Sequence, residues 1–183
     1  MTKLPILESY WVEENHFLAG EYPGGFDPET TRRRMDAFLK AGVYAFIDLM
    51  QSNELLPYEN ILKEQGKIYG VNPSYHHFPI RDHSTPSAQT MTTILDTIDE
   101  AVDNGVCVYV HCWGGVGRTG MVVGCYLVRH GNTNEQALAQ VNKLYKTRPH
   151  NSHLPRSPET NEQVEFVLNW WDEPKNDRKF CEG

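Results

Sequence analysis

The sequence predicts a single α/β domain spanning residues 1–183, with a central, mostly parallel sheet flanked by helices on both faces. Two short apolar runs rich in β-branched residues, VYAFIDL at 43–49 and VCVYVH at 106–111, have the composition of strands buried on both sides. Segments of helical periodicity with start and stop signals alternate with them. No repeat, long linker or low-complexity stretch divides the chain, and 39% hydrophobic with 22% charged residues is enough for one sizeable core.

Taken in order, Asp27-Pro28 reads as an N-cap followed by proline at the first helical position, with the helix stopping at Gly42. The strand 43–49 follows. Pro57 to Gln65 is expected to be a short helix closed by Gly66, and Tyr75 to Ile80 a second strand ending beside Arg81-Asp82. Thr85-Pro86 is expected to open a long helix with Met91, Ile94, Leu95, Ile98 and Val102 on one face and Asn104-Gly105 as its stop. The strand 106–111 runs straight into the loop HCWGGVGRTG, after which Thr119 to His130 reads as a helix ended by Gly131. Thr133 opens the next helix with Gln136 in the capping-box position, and Ser157-Pro158 is expected to open the last, through Trp171.

The formal charge of −7, from 17 basic and 24 acidic residues, opposes nucleic acid and anionic lipid as partners. MTKLPILESYWVEENH has no signal-peptide core and the longest apolar stretch, MVVGCYLV, is too short to span a membrane, so a monomeric cytoplasmic protein is expected. Cys107, Cys112, Cys125 and Cys181 have neither zinc-ribbon spacing nor the density of a disulfide scaffold. His76 and His77 are adjacent and point to opposite faces of a strand, with no complementary cluster, so neither a metal nor any other cofactor is expected.

The loop carries the chemistry. Gly114, Gly115 and Gly117 let successive amides turn inward as an anion nest, and the following helix adds its positive end. Arg118 offers a planar fork for two phosphoryl oxygens. Cys112 stands at the base of this field, which favours thiolate and makes it a nucleophile. The GK[ST] ending of nucleotide-binding loops is absent.

His111-Cys112, five residues, then Arg118-Thr119-Gly120 resembles the signature loop of the cysteine-based protein phosphatases, and the layout resembles their small dual-specificity branch from LAGEYPGG at 18–25 to RSPETNEQVEFVLNW. The resemblance implies that Cys112 attacks phosphorus to give a cysteinyl-phosphate. Arg118 and the amides of Trp113, Gly114, Gly115, Val116 and Gly117 would hold the oxygens, Thr119 would hydrogen-bond the sulfur, and His111 would brace the loop from behind. It also implies a carboxylic acid some thirty residues upstream. Asp82 in FPIRDHSTPS stands thirty positions before Cys112, with Asp48 at another strand end in reserve and Asp96, Asp99 and Asp103 placed within a helix. Gln163 resembles a glutamine that positions water in some members, or is only a first-turn residue. Arg156 either holds a second anion or pairs with an acidic neighbour.

Phosphorylated protein or peptide is the expected substrate, phosphotyrosine first and phosphoserine or phosphothreonine second. The alternatives are a phosphoinositide or small-molecule phosphatase, opposed by the lack of lysine in the loop, and a catalytically silent phospho-residue binding module, opposed by the presence of cysteine, arginine and acid together. Trp113 is expected at the pocket rim, as a stacking or a packing residue, and pocket depth is expected to depend on packing around Asp82, Asn151 and Trp113. Cys107 and Cys125 are expected to be packed thiols, with a protective disulfide to Cys112 as the other reading.

Overall fold

A computed structural model of the chain describes residues 3–149 and 154–171, so that Asn151 and Cys181 lie outside the described residues. The elements run β1 (Ser9–Glu13), β2 (Phe17–Gly20), α1 (Pro28–Lys40), β3 (Val43–Asp48), α2 (Glu59–Ile68), β4 (Ser74–His77), α3 (Ala88–Asp103), β5 (Cys107–His111), α4 (Gly117–Arg129), α5 (Asn134–Tyr145) and α6 (Asn161–Leu168). The strands form one sheet in the order β1-β2-β5-β3-β4, parallel except for the antiparallel β1–β2 edge. This is the expected α/β fold.

Alternation along the strands sorts the two helical layers. Phe46 of β3 and Tyr109 of β5 pair in register and meet Phe38 of α1 at ring separations of 5.5 and 4.5 Å. On the other face Phe17 of β2 packs edge-on against Tyr126 of α4 at 4.8 Å. Helix α4 is buried almost from end to end, lying between the sheet and the outer helices. Such close packing needs small residues: a Cβ on Gly124 would stand 2.8 Å from Val167 of α6. Arg129 at the end of α4 pairs with Asp96 and Asp99 of α3 at 2.9 and 3.0 Å, which fixes α3 to α4 and commits two of the helical aspartates to structure.

The caps hold where a side-chain oxygen marks them. Asp27 accepts from the Thr30 amide, and Thr133 with Gln136 forms the capping box. Several boundaries differ from expectation, among them that of helix α4, which starts at Gly117 and not at Thr119. Helix α2 begins at Glu59 without a side-chain cap and runs through Gly66 to Ile68; the left-handed residue that follows it is Gly70, at φ +67. Gly66 is there for contact, since a Cβ would lie 2.5 Å from Pro73 Cδ and 2.9 Å from the Val71 carbonyl. Helix α3 starts at Ala88 because Ser87, rather than Thr85, caps the Thr90 amide. Helix α6 starts at Asn161 behind a second capping box, Thr160 with Gln163, and not at Ser157-Pro158. Strand β4 ends at His77, and the Phe78 and Ile80 amides still donate to the Asp48 and Leu49 carbonyls beyond it. The β1–β2 edge was not foreseen: FLAG is only four residues long and buried throughout, so it shows no alternation to read.

Among the described residues no helix is long and apolar enough to cross a membrane. Because Gly66 is held by its contact with Pro73, Gly66→Ala is expected to lower the melting temperature by a few degrees. An overpacking cost of about 1–3 kcal/mol outweighs the roughly 0.5–1 kcal/mol that alanine gains inside a helix. Thermal unfolding followed by circular dichroism measures this, and a raised melting temperature would refute the contact argument.

Candidate active site

The loop from His111 to Arg118 leaves the carboxyl end of β5, the innermost strand, and enters α4 at Gly117. Its carbonyls are tied outward one after another. The His111 carbonyl accepts from the Leu49 amide at 3.0 Å, Cys112 from His111 Nδ1 at 3.3 Å, and Trp113 from the Tyr22 amide at 2.8 Å. Gly114 accepts from Arg148 Nη1 at 3.0 Å, and Val116 from Ser157 Oγ at 2.7 Å. The amides of residues 113 to 118 donate to no described residue, which leaves them for an anion over Cys112.

Glycine is required at two points of close approach. Gly115 has φ +66, and a Cβ there would lie 2.3 Å from the Gly20 carbonyl carbon and 2.6 Å from the Glu21 amide. Gly120 faces Ser157, whose Oγ would be 2.0 Å from an added Cβ. The stretch LAGEYPGG thus serves as the wall on which the loop is moulded, with the Tyr109 hydroxyl donating to the Glu21 carbonyl at 2.5 Å.

Cys112 is buried and lines a cavity of about 200 Å³ with Asp82, His83, Trp113, Arg118, Leu154 and Glu159. Arg118 is 1% exposed and held on its outer side by Glu54: Nη1 donates to Oε1 at 2.6 Å and Nη2 to Oε2 at 2.8 Å. Nη1 also donates to the Ile80 carbonyl at 3.0 Å, while Nη2 forms an ion pair with Asp82 Oδ1 at 3.1 Å. Nε donates to no described residue. The guanidinium is therefore oriented before any ligand arrives. Partial burial alone would raise the Glu54 carboxyl, but hydrogen bonds from Arg118 and the Gln51 amide, with the nearby positive charge, hold it below the usual range. Arg118 stays charged: burial works against it, and Glu54, Cys112 and Asp82 outweigh burial.

Behind the loop, burial lowers the pKa of His111 more than Asp48 and the hydrogen bond to Cys112 raise it, so the ring is neutral. Its Nδ1–H donates to the Cys112 carbonyl, so Nε2 is the acceptor and takes the Tyr58 hydroxyl at 2.7 Å. Asp48 is buried and accepts from the Tyr75 hydroxyl and the Met50 amide, both at 2.8 Å, which makes the reserve acid a structural residue. Thr119 Oγ1 is buried with no hydrogen-bond partner among the described residues, and Thr119 follows Arg118 in the first turn of α4. A buried hydroxyl in that state needs an acceptor.

The chain brings Asp82, Cys112, Trp113 and Arg118 together around one cavity, with Trp113 60% exposed at its rim. Asp82 carries a second tether: His83, at φ +58, meets Asp82 Oδ2 through Nδ1 at 3.3 Å and Glu159 Oε1 through Nε2 at 3.2 Å. Gln163 is fully buried. Its Oε1 accepts from the Thr160 amide, its Nε2 donates to the Ser84 carbonyl beside the Asp82 turn, and it packs on Gly117. Arg156 does not line the cavity and among the described residues pairs with no acid; its Nη2 donates to Asn161 Oδ1. Cys107, Cys112 and Cys125 are all buried, and burial pushes the Cys107 thiol up to about 12. Among the described residues no group of three His, Cys, Asp or Glu converges as a metal site. Sequence reasoning missed Glu54, Arg148 and Ser157. The only signal for Glu54 was a carboxylate in the loop QSNELLPY after a strand end, and Arg148 and Ser157 had none.

Comparison with known proteins gives concordant similarities. Residues 25–132 match a family described as Tc-R-P, polymorphic toxin system, DSP-PTPase phosphatase. Protein 067L of Invertebrate iridescent virus 3, which carries a tyrosine phosphatase name, is 30% identical over 133 residues, 70% of this chain and 50% of its own length. Cyclin-dependent kinase inhibitor 3 of Homo sapiens is 32% identical over 71 residues, 38% of this chain and 34% of its own. The chain thus spans about half or less of the length of these relatives. Among solved structures, Tk-PTP in its active form superposes with a TM-score of 0.69 at 26% identity, covering 88% of this chain and 93% of that one.

The moulding of the loop can be tested by Gly115→Ala. The added Cβ forces the loop away from Gly20, and the affinity for inorganic phosphate or tungstate, measured by calorimetry, is expected to fall at least roughly tenfold with an unchanged circular dichroism spectrum. Unaltered oxyanion affinity would show that the loop does not depend on this contact.

Proposed function

Because this chain belongs to the DSP-PTPase family of phosphatases, we propose that it hydrolyses phosphomonoesters of phosphoprotein, phosphotyrosine first and phosphoserine or phosphothreonine second, through a cysteinyl-phosphate. The observation that carries this reading is the convergence of a buried cysteine, six unpaired amides, an oriented arginine and a half-exposed carboxylate on one small cavity. In the first step the Cys112 thiolate attacks phosphorus in line with the ester oxygen. The S–P bond forms as the P–O bond breaks, and Asp82 gives its proton to the departing oxygen.

The amides and the free edge of Arg118 hold the three equatorial oxygens as charge shifts among them. A phosphoryl oxygen at Nη2 displaces Asp82 from its ion pair and leaves its carboxyl facing the leaving group. In the second step water attacks phosphorus from the side the ester left, Asp82 takes the proton from that water, and the S–P electrons return to sulfur. The Thr119 hydroxyl donates to the emerging thiolate. Glu54, Arg148, Ser157 and His111 act by holding these groups in place.

Charge around the cavity favours a single phosphate. Besides Cys112 and Arg118, the titratable side chains lining it among the described residues are Asp82, Glu159 and His83, with no lysine. A polyphosphorylated inositol would meet two carboxylates there. The relatives include plant PTEN1, named for a phosphatidylinositol 3,4,5-trisphosphate 3-phosphatase and protein-tyrosine-phosphatase activity, so inositides belong in the assay. A silent binding module would lack one of the reacting groups.

Purified protein is expected to release p-nitrophenol from p-nitrophenyl phosphate in excess EDTA, and loss of activity with chelator would point to a metal mechanism. Cys112→Ser is expected to remove turnover by at least about 10⁴-fold while retaining phosphate binding; retained turnover would end the covalent proposal. Asp82→Asn is expected to slow esters of poor leaving groups most, by about 10²–10⁴-fold, and to remove the fall in rate on the alkaline side of the pH profile. An unchanged profile would reassign the acid.

A further inference from the structure

A second cavity of about 310 Å³ lies beside the first, and Trp113 and Gly114 form part of the wall of both. Its other side chains include Tyr22, Phe26, Leu55 and Leu56. Phe26 is 100% exposed and Leu56 66%, so with Trp113 they present a cluster of large apolar groups to solvent at the mouth of the catalytic cavity. Packing within the domain does not account for side chains held so far out.

The groove is built before any occupant arrives. The Tyr22 hydroxyl donates to the Leu56 carbonyl and joins its two sides. Arg34 Nη1 donates to the Gly24 carbonyl at 2.8 Å and the Tyr22 carbonyl at 3.3 Å, and lies 3.5 Å from Glu21 Oε1, which sets the turn that carries Phe26. Its volume is at the lower end of small ligand sites, about 300–1,000 Å³, and suits one side chain rather than a whole headgroup. Its two charged lining groups, Glu21 and Arg34, pair with each other at 3.5 Å, so the groove offers no uncompensated charge to an incoming group.

Resting on the phosphatase reading above, we propose that this groove is a subsite for the substrate polypeptide, holding an aromatic or branched aliphatic side chain roughly one or two residues from the phosphorylated one. The shared Trp113 wall makes the two cavities continuous, so an extended peptide with its phosphorylated side chain over Cys112 lays a neighbouring side chain between Phe26 and Leu56. Glutamate at that position would lose hydration among apolar groups whose one cation, Arg34, is already paired with Glu21. Phe26 and Leu56 therefore determine specificity, and neither takes part in the chemistry.

The test uses the intact chain with p-nitrophenyl phosphate, a set of phosphotyrosine hexapeptides carrying Leu, Phe, Ser or Glu at each position flanking the phosphotyrosine, and a phosphatidylinositol monophosphate in mixed micelles. The expected result is kcat/KM roughly tenfold higher for Leu or Phe than for Glu at one flanking position. In Phe26→Ser and Leu56→Ser that preference is expected to collapse, with p-nitrophenyl phosphate turnover unchanged within about twofold. Flank-independent rates, or a preference that survives in both variants, would overturn the subsite and leave the phosphatase reading standing. A loss confined to the lipid substrate would assign the groove to an acyl chain and overturn the proposal as well. No hydrolysis of any substrate would overturn the phosphatase reading and this inference with it.

Discussion

Everything at the site depends on where the carbonyls of one loop are held. A peptide unit points its N–H and C=O in opposite directions, so fixing the carbonyls of residues 111, 112, 113, 114 and 116 to the scaffold turns the amides toward the space above Cys112. The donors come from five places: the end of β3, the adjacent His111 ring, the turn after β2, the segment after α5 and the segment before α6. No single element builds the pocket. The loop is shaped by the domain around it, and the positive end of α4 adds to a field the backbone has already set.

A buried guanidinium is the second constraint. With Arg118 1% exposed, an uncompensated charge would cost several kcal/mol, and Glu54 supplies the compensation through two parallel hydrogen bonds. Breaking such a pair from one side costs about 3–5 kcal/mol, which is why its partner sits on the outer edge, away from the cavity. The same arrangement divides labour between two carboxylates. Glu54 is committed to Arg118 from below, whereas Asp82, half-exposed and shared with His83, is free to exchange partners.

The sequence spoke clearly where a local pattern fixed the outcome. Two apolar strands, the capped helices at Asp27 and Thr133, and the cysteine-to-arginine spacing all lie within short windows, and the structure follows them. Asp82 was legible because strand end, helix start and distance from Cys112 agreed. What stayed hidden involves partners far apart in the chain. Glu54 meets Arg118 across 64 positions, and Arg148 meets Gly114 across 34. Neither residue type announces such a contact. Gly66 was misread because a glycine that makes room and a glycine that ends a helix look alike in sequence, and only the position of Pro73 tells them apart.

The seat of Gly115 against the Gly20 backbone ties the loop to the hairpin near the start of the sequence. Contacts between segments so distant carry a large loop-closure cost and form only when the intervening strands have assembled. A partly folded or nascent chain therefore holds its cysteine without the nest that would make it selective for phosphate. The shape of the pocket thus arrives together with the completed sheet.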